Sequence, residues 1–155
     1  MWKTQGVEGC LACDLAEGRV DLPGGEILTT GRWIVEHCVG PLGVGTLIVK
    51  PKRHVVHVWD LEQTEAAELG PLLRRVTAAL AELMEPDQVY VGLWSHAGAK
   101  PVHIHWVVQP VTRELMDEIG DYGPHLQVAM FDANELPPRD EVVAFAERAR
   151  AALGG

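Results

Sequence analysis

Residues 100–110 carry two histidines inside an apolar run, and this stretch constrains the fold more than any other. Its β-branched and aromatic side chains are typical of a β-strand, which we predict over residues 102–108. Successive strand side chains point to opposite faces, so His103 and His105 share one face, about 6.6 Å apart. Core histidines satisfied by hydrogen bonds are one interpretation. Two imidazoles on one apolar face favour a functional site instead, because each buried polar group needs a partner.

Length and charge limit the classes of function that the chain can have. Its 155 residues suit one domain that buries roughly two thirds of its unfolded surface, and 47% apolar residues argue against disorder. No apolar run approaches the roughly 18 residues of a membrane span, and the N-terminus lacks the apolar core of a signal peptide. We therefore expect a cytoplasmic protein without a membrane partner. The net charge of -9 argues against a nucleic-acid partner, because phosphate backbones need a basic face.

Two of the three cysteines, Cys10 and Cys13, form a Cys-x-x-Cys pair, which favours metal or redox chemistry over a disulfide framework. The pair is compatible with a zinc site completed by distant ligands, a redox pair, or two reduced structural thiols. A redox pair usually needs a lowered thiol pKa, and the acidic neighbours Asp14 and Glu17 oppose that. Zinc is favoured, and His54 is a potential third ligand.

The order of predicted elements indicates an α+β fold with an antiparallel sheet of about five strands, a long helix and a C-terminal helix. Asp60 or Thr64 is expected to cap the long helix, and Pro71 should kink it or begin a new one. Predicted strands cover residues 26–29, 32–38, 46–50, 88–94 and 102–108, with a further strand-like piece at 127–131. Predicted helices cover residues 64–85, 112–119 and 139–153. We expect a single domain over residues 1–155, with a core at about 10–112 and a C-terminal extension at 113–155.

The succession of these features resembles the histidine-triad (HIT) family, whose signature is His-φ-His-φ-His-φ-φ with φ apolar. The matching stretches are Cys10-x-x-Cys13, residues 45–54 ending in His54, a long helix, Ala97-Gly98, His103-Ile104-His105 and Pro110. An ungapped alignment makes His103 the first triad histidine and His105 the middle one, and it puts Val107 in the place of the third. A shift by two residues would make His103 the middle histidine but would lose the matches on either side.

The resemblance implies an enzyme whose middle histidine attacks the α-phosphorus of a nucleotide, after which water splits the nucleotidyl-histidine. His105 is then the nucleophile, because a neutral imidazole is nucleophilic near neutral pH. Phosphorus chemistry also needs donors for the developing charge, and Ser95, His96 and Lys100 are available in the preceding loop. Lys100 fits a solvated surface lysine equally well. The family's substrates would be diadenosine polyphosphates or nucleoside phosphoramidates, and its members are expected to be homodimers whose two sheets join into one.

The resemblance also implies a structural zinc ion. Some bacterial relatives bind zinc at positions that correspond to Cys10, Cys13, His54 and His103. A Cys₂His₂ set is closed and tetrahedral, so it stabilises the fold instead of reacting. His103 would then be a ligand and His105 the reactive group, which explains two histidines on one face.

Several departures from the family pattern affect the nucleotide pocket. The usual acidic residue for the ribose hydroxyls is Cys38, and the third triad histidine is Val107. Gln109, one step further along the same strand face, is a candidate replacement for the lost polar group. The other departures are Thr46 for a histidine, Gly92 for an asparagine, Ala99 for a glutamine and Lys100 for a serine or threonine.

Three functional hypotheses therefore remain. The first is a hydrolase or nucleotidyl transferase that cleaves a phosphoanhydride or phosphoramidate through His105. The second is a nucleotide-binding protein that keeps the fold and the zinc without turnover. The third is a zinc-stabilised interaction module, which would leave His105 without a role.

Overall fold

A five-stranded antiparallel sheet forms the centre of the molecule, with strand order β1-β2-β3-β5-β4. The computed structural model describes residues 6–95 and 102–154. The strands are β1 (Glu26–Thr29), β2 (Trp33–His37), β3 (Leu47–Pro51), β4 (Gln88–Trp94) and β5 (His105–Val111). Every pair of neighbouring strands is antiparallel. The predicted α+β class with an antiparallel sheet is confirmed.

Five α-helices and one short 3₁₀ turn surround the sheet in the described part of the chain. They are α1 (Leu11–Ala16), the 3₁₀ turn (Val58–Asp60), α2 (Gln63–Met84), α3 (Arg113–Ile119), α4 (Gly123–Ala133) and α5 (Arg139–Ala152). None of the helices in these residues combines the length and apolarity that crossing a bilayer requires.

The alternative that Pro71 begins a new helix is wrong, because α2 continues through it from Gln63 to Met84. A proline inside a helix leaves the carbonyl four residues earlier without its partner. Here Pro71 and Ala67, which carries that carbonyl, are both exposed, so water can take the place of the missing donor. The helix also starts differently from the prediction. Its cap is Glu62, whose backbone N–H donates to the Glu65 side chain at 2.8 Å, and neither Asp60 nor Thr64 caps it.

The histidine strand begins three residues later than predicted, at His105, and runs to Val111. The backbone N–H of Ile104 donates to the carbonyl of Val55 at 2.9 Å. The residues before β5 therefore bond to the segment that follows β3 and do not extend the sheet ladder. The strand-like piece at residues 127–131 is also wrong, since it lies within α4. Leu126 and Met130, spaced one helical turn apart, face the body of the protein there.

The main core lies between one face of the sheet and the helices α2 and α5. The rings of Trp33 and Trp106 meet edge to face, with centroids 5.6 Å apart. The indole N–H of Trp33 donates to the carbonyl of Glu65 at 3.1 Å, which ties β2 to the start of α2. Helix α5 adds Phe145, Ala146 and Ala149 to the same cluster. With this face covered by helices, the opposite face of the sheet is left to form the site.

Candidate functional site

The opposite face of the sheet forms the base of a cavity of about 450 Å³. Its side walls come from α1, from the loop after β2, and from α4 with the residues that follow it. Apolar side chains make up most of the lining, while Glu36, Lys50, His103 and His105 supply polar groups along the sheet. Among the described lining residues, Lys50 is the only lysine or arginine. A cavity with a few converging polar groups in an apolar wall is the usual form of a small-molecule site.

His105, the first residue of β5, lies on the wall of this cavity and is half-buried. Its Nδ1 is 3.0 Å from the carbonyl oxygen of His103. A carbonyl only accepts hydrogen bonds, so the ring proton of a neutral His105 lies on Nδ1 and the lone pair on Nε2. The Trp94 ring lies beside it, with centroids 6.5 Å apart. The geometry thus fixes the tautomer that nucleophilic attack through Nε2 requires.

Four residues from three separate parts of the chain converge beside the cavity. Cys10 immediately precedes α1, Cys13 follows within that helix, His54 comes after β3, and His103 comes before β5. Their ligand atoms all lie within 4.8 Å of one another. Sγ of Cys13 is 3.3 Å from Nδ1 of His54 and 3.5 Å from Nδ1 of His103. The structure therefore brings together all four residues that the family resemblance implies as zinc ligands.

The surroundings of this cluster fit a divalent cation. Burial raises the pKa of the Cys13 thiol to about 11 and lowers the pKa of His103 to about 4, and it also lowers the pKa of His54. Neutral imidazoles are the form that binds metal, and a bound cation would stabilise the thiolate that burial alone disfavours. Nε2 of His103 donates to the carbonyl of Pro51 at 2.8 Å, which turns the lone pair of Nδ1 toward the thiols. Two thiols and two imidazoles form a donor set that suits zinc.

His37 holds the loop that forms one wall of the cavity, a role that the sequence did not indicate. Its Nδ1 donates to the carbonyl of Cys38 at 2.8 Å, and Nε2 accepts from the backbone N–H of Gly45 at 2.9 Å. Both ring nitrogens are therefore used in bridging the two ends of the loop. Gly45 has a φ of +93°, a conformation that favours glycine. Burial lowers the pKa of His37, which keeps the ring neutral as this bonding pattern requires.

A buried ion pair on the sheet face that forms the base of the cavity was also missed by sequence reasoning. Nζ of Lys50 lies 2.7 Å from Oε1 of Glu36, and the side chains are 1% and 2% exposed. A charged residue within an otherwise apolar strand is the signal that could have indicated it, since such residues are rarely buried unless paired.

The structure does not bring every predicted substrate-binding residue to the cavity. Gln109 is fully buried, and its amide nitrogen donates to the carbonyl of Leu42 at 3.2 Å. Its amide oxygen accepts from Gln127 at 3.0 Å. Gln109 therefore links β5 to α4, and it is not among the described residues that line the cavity. Ser95 is exposed and is not among the described residues that line the cavity, whereas Val107 does line it. His96 and Lys100 lie outside the described residues.

The chain resembles known proteins in sequence and in structure. No family model matches the chain. The chain is 26% identical over 105 residues to the adenosine 5'-monophosphoramidase hnt1 of Schizosaccharomyces pombe, a match that covers 65% of this chain and 74% of that protein.

Solved structures extend the similarity to nearly the whole chain. A Hit-like protein of Bartonella henselae has a TM-score of 0.68 at 13% identity, covering 95% of this chain and 98% of that one. A zinc-bound histidine triad family protein of Mycobacterium smegmatis has a TM-score of 0.66 at 19% identity, covering 94% and 93%. The chain thus has the fold of these histidine-triad proteins.

The bonding of His37 leads to a prediction about pH. A His37→Gln variant should be less stable than wild type by about 1–3 kcal/mol at about pH 7.5, because the buried loop groups lose partners. The pKa of His37 is lower in the folded protein than in the unfolded chain. The contribution of His37 to the free energy of unfolding is therefore complete above the ordinary histidine pKa, and it is lost as the pH falls because the unfolded chain binds the proton more readily. Glutamine does not titrate, so the stability gap between variant and wild type should narrow toward about pH 5.5.

Urea unfolding at both pH values measures this gap. Exposed His57 provides the matched control, and His57→Gln should change stability little at either pH. A gap for His37→Gln that stays constant or widens on acidification would contradict the assignment.

Proposed function

We propose that this protein is a histidine-triad hydrolase or nucleotidyl transferase that acts on a nucleoside phosphoramidate or a phosphoanhydride such as a diadenosine polyphosphate. The observation that carries the proposal is the position of His105. Its ring lines the cavity, and its Nδ1 donates a hydrogen bond to the carbonyl oxygen of His103 at 3.0 Å. The lone pair on Nε2 is the group that a phosphorus atom in the cavity would meet.

The reaction proceeds in two displacements at the α-phosphorus. Nε2 of His105 forms a bond to phosphorus as the bond to the leaving amine or phosphate breaks, and the leaving group takes up a proton. Water, or another acceptor in the transferase case, then attacks the phosphorus and displaces the histidine. The His103 carbonyl stabilises the ring during both steps, because it accepts a hydrogen bond from the Nδ1–H group throughout.

Two further observations support this function. The sequence similarity is to a protein named as an adenosine 5'-monophosphoramidase. The cavity volume of about 450 Å³ is in the range of small-molecule sites.

A second candidate is a nucleotide-binding protein without turnover. Val107, which replaces the third triad histidine, is 1% exposed and lines the cavity, so it offers no proton or charge there. Cys38, in the place of the family's ribose acid, has its thiol pKa raised to about 11 by burial. It is therefore neutral and cannot replace a carboxylate.

We also propose that Cys10, Cys13, His54 and His103 hold a structural zinc ion. The four residues would complete a closed tetrahedral set, which stabilises the N-terminal segment and leaves no position for substrate. The zinc-bound relative of similar fold supports this assignment.

His105→Ala tests the catalytic proposal. Removal of a covalent nucleophile should lower the hydrolysis rate of adenosine 5'-phosphoramidate by several orders of magnitude, since the remaining groups cannot form the intermediate. The measurement is release of AMP by zinc-loaded protein. His125→Ala is the matched control, because His125 is exposed on α4 and away from the cavity lining. Equal and slow rates for wild type and His105→Ala would favour the binding protein.

Metal analysis tests the zinc assignment. Wild-type protein should contain a single zinc ion per chain, and the Cys10→Ser/Cys13→Ser double variant should lose it and unfold at a lower temperature. Cys38→Ser is the matched control, since Cys38 is also buried but lies outside the cluster. An unchanged zinc content in the double variant would refute the ligand set.

A homodimer with a continuous sheet is the expected assembly. Arg150 donates to the carbonyl of Glu26 and so occupies the edge beside β1, whereas β4 is the longer outer strand and carries the exposed Val91. Sedimentation equilibrium should give twice the chain mass of 17.0 kDa. Val91→Lys should weaken the dimer by placing like charges across the joined edge, and Val128→Lys on α4 should not. A monomeric wild type would contradict the assembly.

A further inference from the structure

The proposed chemistry does not use the buried ion pair on the sheet face that forms the base of the cavity. Glu36 in β2 is opposite Ile48, and Lys50 in β3 is opposite Ile34, so both charged side chains lie on the cavity face. Nζ of Lys50 donates to Oε1 of Glu36 at 2.7 Å and to the carbonyl of Ala12 in α1 at 2.8 Å. Lys50 therefore links the Glu36 carboxylate to helix α1, and its bond to the carboxylate uses only Oε1.

The second oxygen of this carboxylate, Oε2, is buried and has no hydrogen-bond partner among the described residues. Leaving a buried acceptor unbonded is unfavourable, and such groups in folded proteins usually mark a missing water, ion or ligand. Burial also raises the pKa of Glu36, so any additional donor would stabilise its charged form. The residue that carries this unbonded oxygen also lines the cavity proposed for the substrate.

The strand order gives the position of this group relative to His105. Val49 in β3 pairs with Trp106 in β5, so the next residues along these two strands, Lys50 and His105, are neighbours. Glu36 lies on β2, on the other side of β3 from His105. Strands are about 4.8 Å apart, which puts Glu36 roughly 10 Å from the strand of His105. A ligand whose phosphorus meets His105 would therefore reach Glu36 with its nucleoside part and not with its phosphate.

We propose that Glu36 is a specificity-determining residue, whose Oε2 accepts a hydrogen bond from a hydroxyl or amino group in the nucleoside part of the ligand. This inference rests on the proposed function, because it takes a nucleotide as the occupant. Lys50 is a positioning residue that holds the carboxylate toward the cavity through its bonds to Oε1 and Ala12. The pair is neutral overall, so it selects a neutral donor and not a further charge.

Binding of four nucleotides to zinc-loaded protein tests the proposal. AMP, 2'-deoxyAMP and 3'-deoxyAMP differ in their sugar hydroxyls, and IMP lacks the exocyclic amino group of the base. Calorimetry on wild type should show at least one analogue binding about tenfold or more weakly than AMP, because it lacks the donor to a charged acceptor. The analogue that loses affinity identifies the sugar or the base as the source of the donor.

Glu36→Gln replaces the charged acceptor with a neutral amide of the same size. It should bind that analogue and AMP with nearly equal affinity. A general loss of folding would weaken all four nucleotides alike, so the ratio of affinities separates recognition from structural damage.

Two more variants complete the test. Glu65→Gln removes a carboxylate that is just as buried and is paired with Arg53 at 2.7 Å, but lies outside the cavity lining. It should leave the affinity ratios unchanged.

Glu36→Met/Lys50→Met removes both charges together, which avoids leaving one charge buried alone should the single variant fail to fold. It should lose discrimination as Glu36→Gln does.

The outcomes separate the two proposals. Identical affinity ratios in wild type and both Glu36 variants would overturn the role of Glu36 and indicate only an ordered water at Oε2. The proposed function would still stand if wild type hydrolyses adenosine 5'-phosphoramidate. Failure of wild type to bind any of the four nucleotides would overturn both.

Discussion

The hydrogen bond from Nε2 of His103 to the carbonyl of Pro51, 2.8 Å long, is the constraint on which the geometry of the site depends. It joins the end of β3 to the residues that precede β5, and it turns Nδ1 of His103 toward the thiol of Cys13. The carbonyl of the same residue accepts a hydrogen bond from the Nδ1–H group of His105. One short segment thus directs one imidazole toward the thiols and the other to the cavity, so the Cys/His cluster and the proposed nucleophile cannot be positioned independently.

The fold could be predicted because its signals are local, and the Cys/His cluster could be predicted because the family resemblance joins residues that lie far apart in the sequence. Leucines at helical spacing indicated α2, and the Cys-x-x-Cys pair together with the family order indicated the four ligands. The errors arose where tertiary contacts decide the outcome. The residues before β5 bond to Val55 instead of extending the strand. A charge within each apolar strand could have indicated that Glu36 and Lys50 are paired with some partner, but their pairing with each other depends on the register of β2 against β3, which no single stretch of sequence specifies.

The ion pair also bears on why this cavity differs from a simple apolar pocket. Removing two charges from water is costly, and their attraction repays that cost only when the remaining bonding positions are filled. Lys50 meets this condition partly, through Ala12, but Oε2 of Glu36 has no partner in the described part of the chain. A pair of apolar residues would pack there at lower cost. The presence of two charges at this point of the sheet therefore favours a role in recognising what enters the cavity.

Lys50 further connects the cavity to the Cys/His cluster. Helix α1 has only six residues, which is too short to be stable by itself, and its first turn carries Cys13. The same helix lines the cavity, and Lys50 holds it through the carbonyl of Ala12. A zinc ion at the cluster would fix this wall from one side while the ion pair fixes it from the other. Loss of the metal would then loosen the cavity wall and the bond to Ala12, and through His103 it would also loosen the carbonyl that accepts the hydrogen bond from Nδ1 of His105.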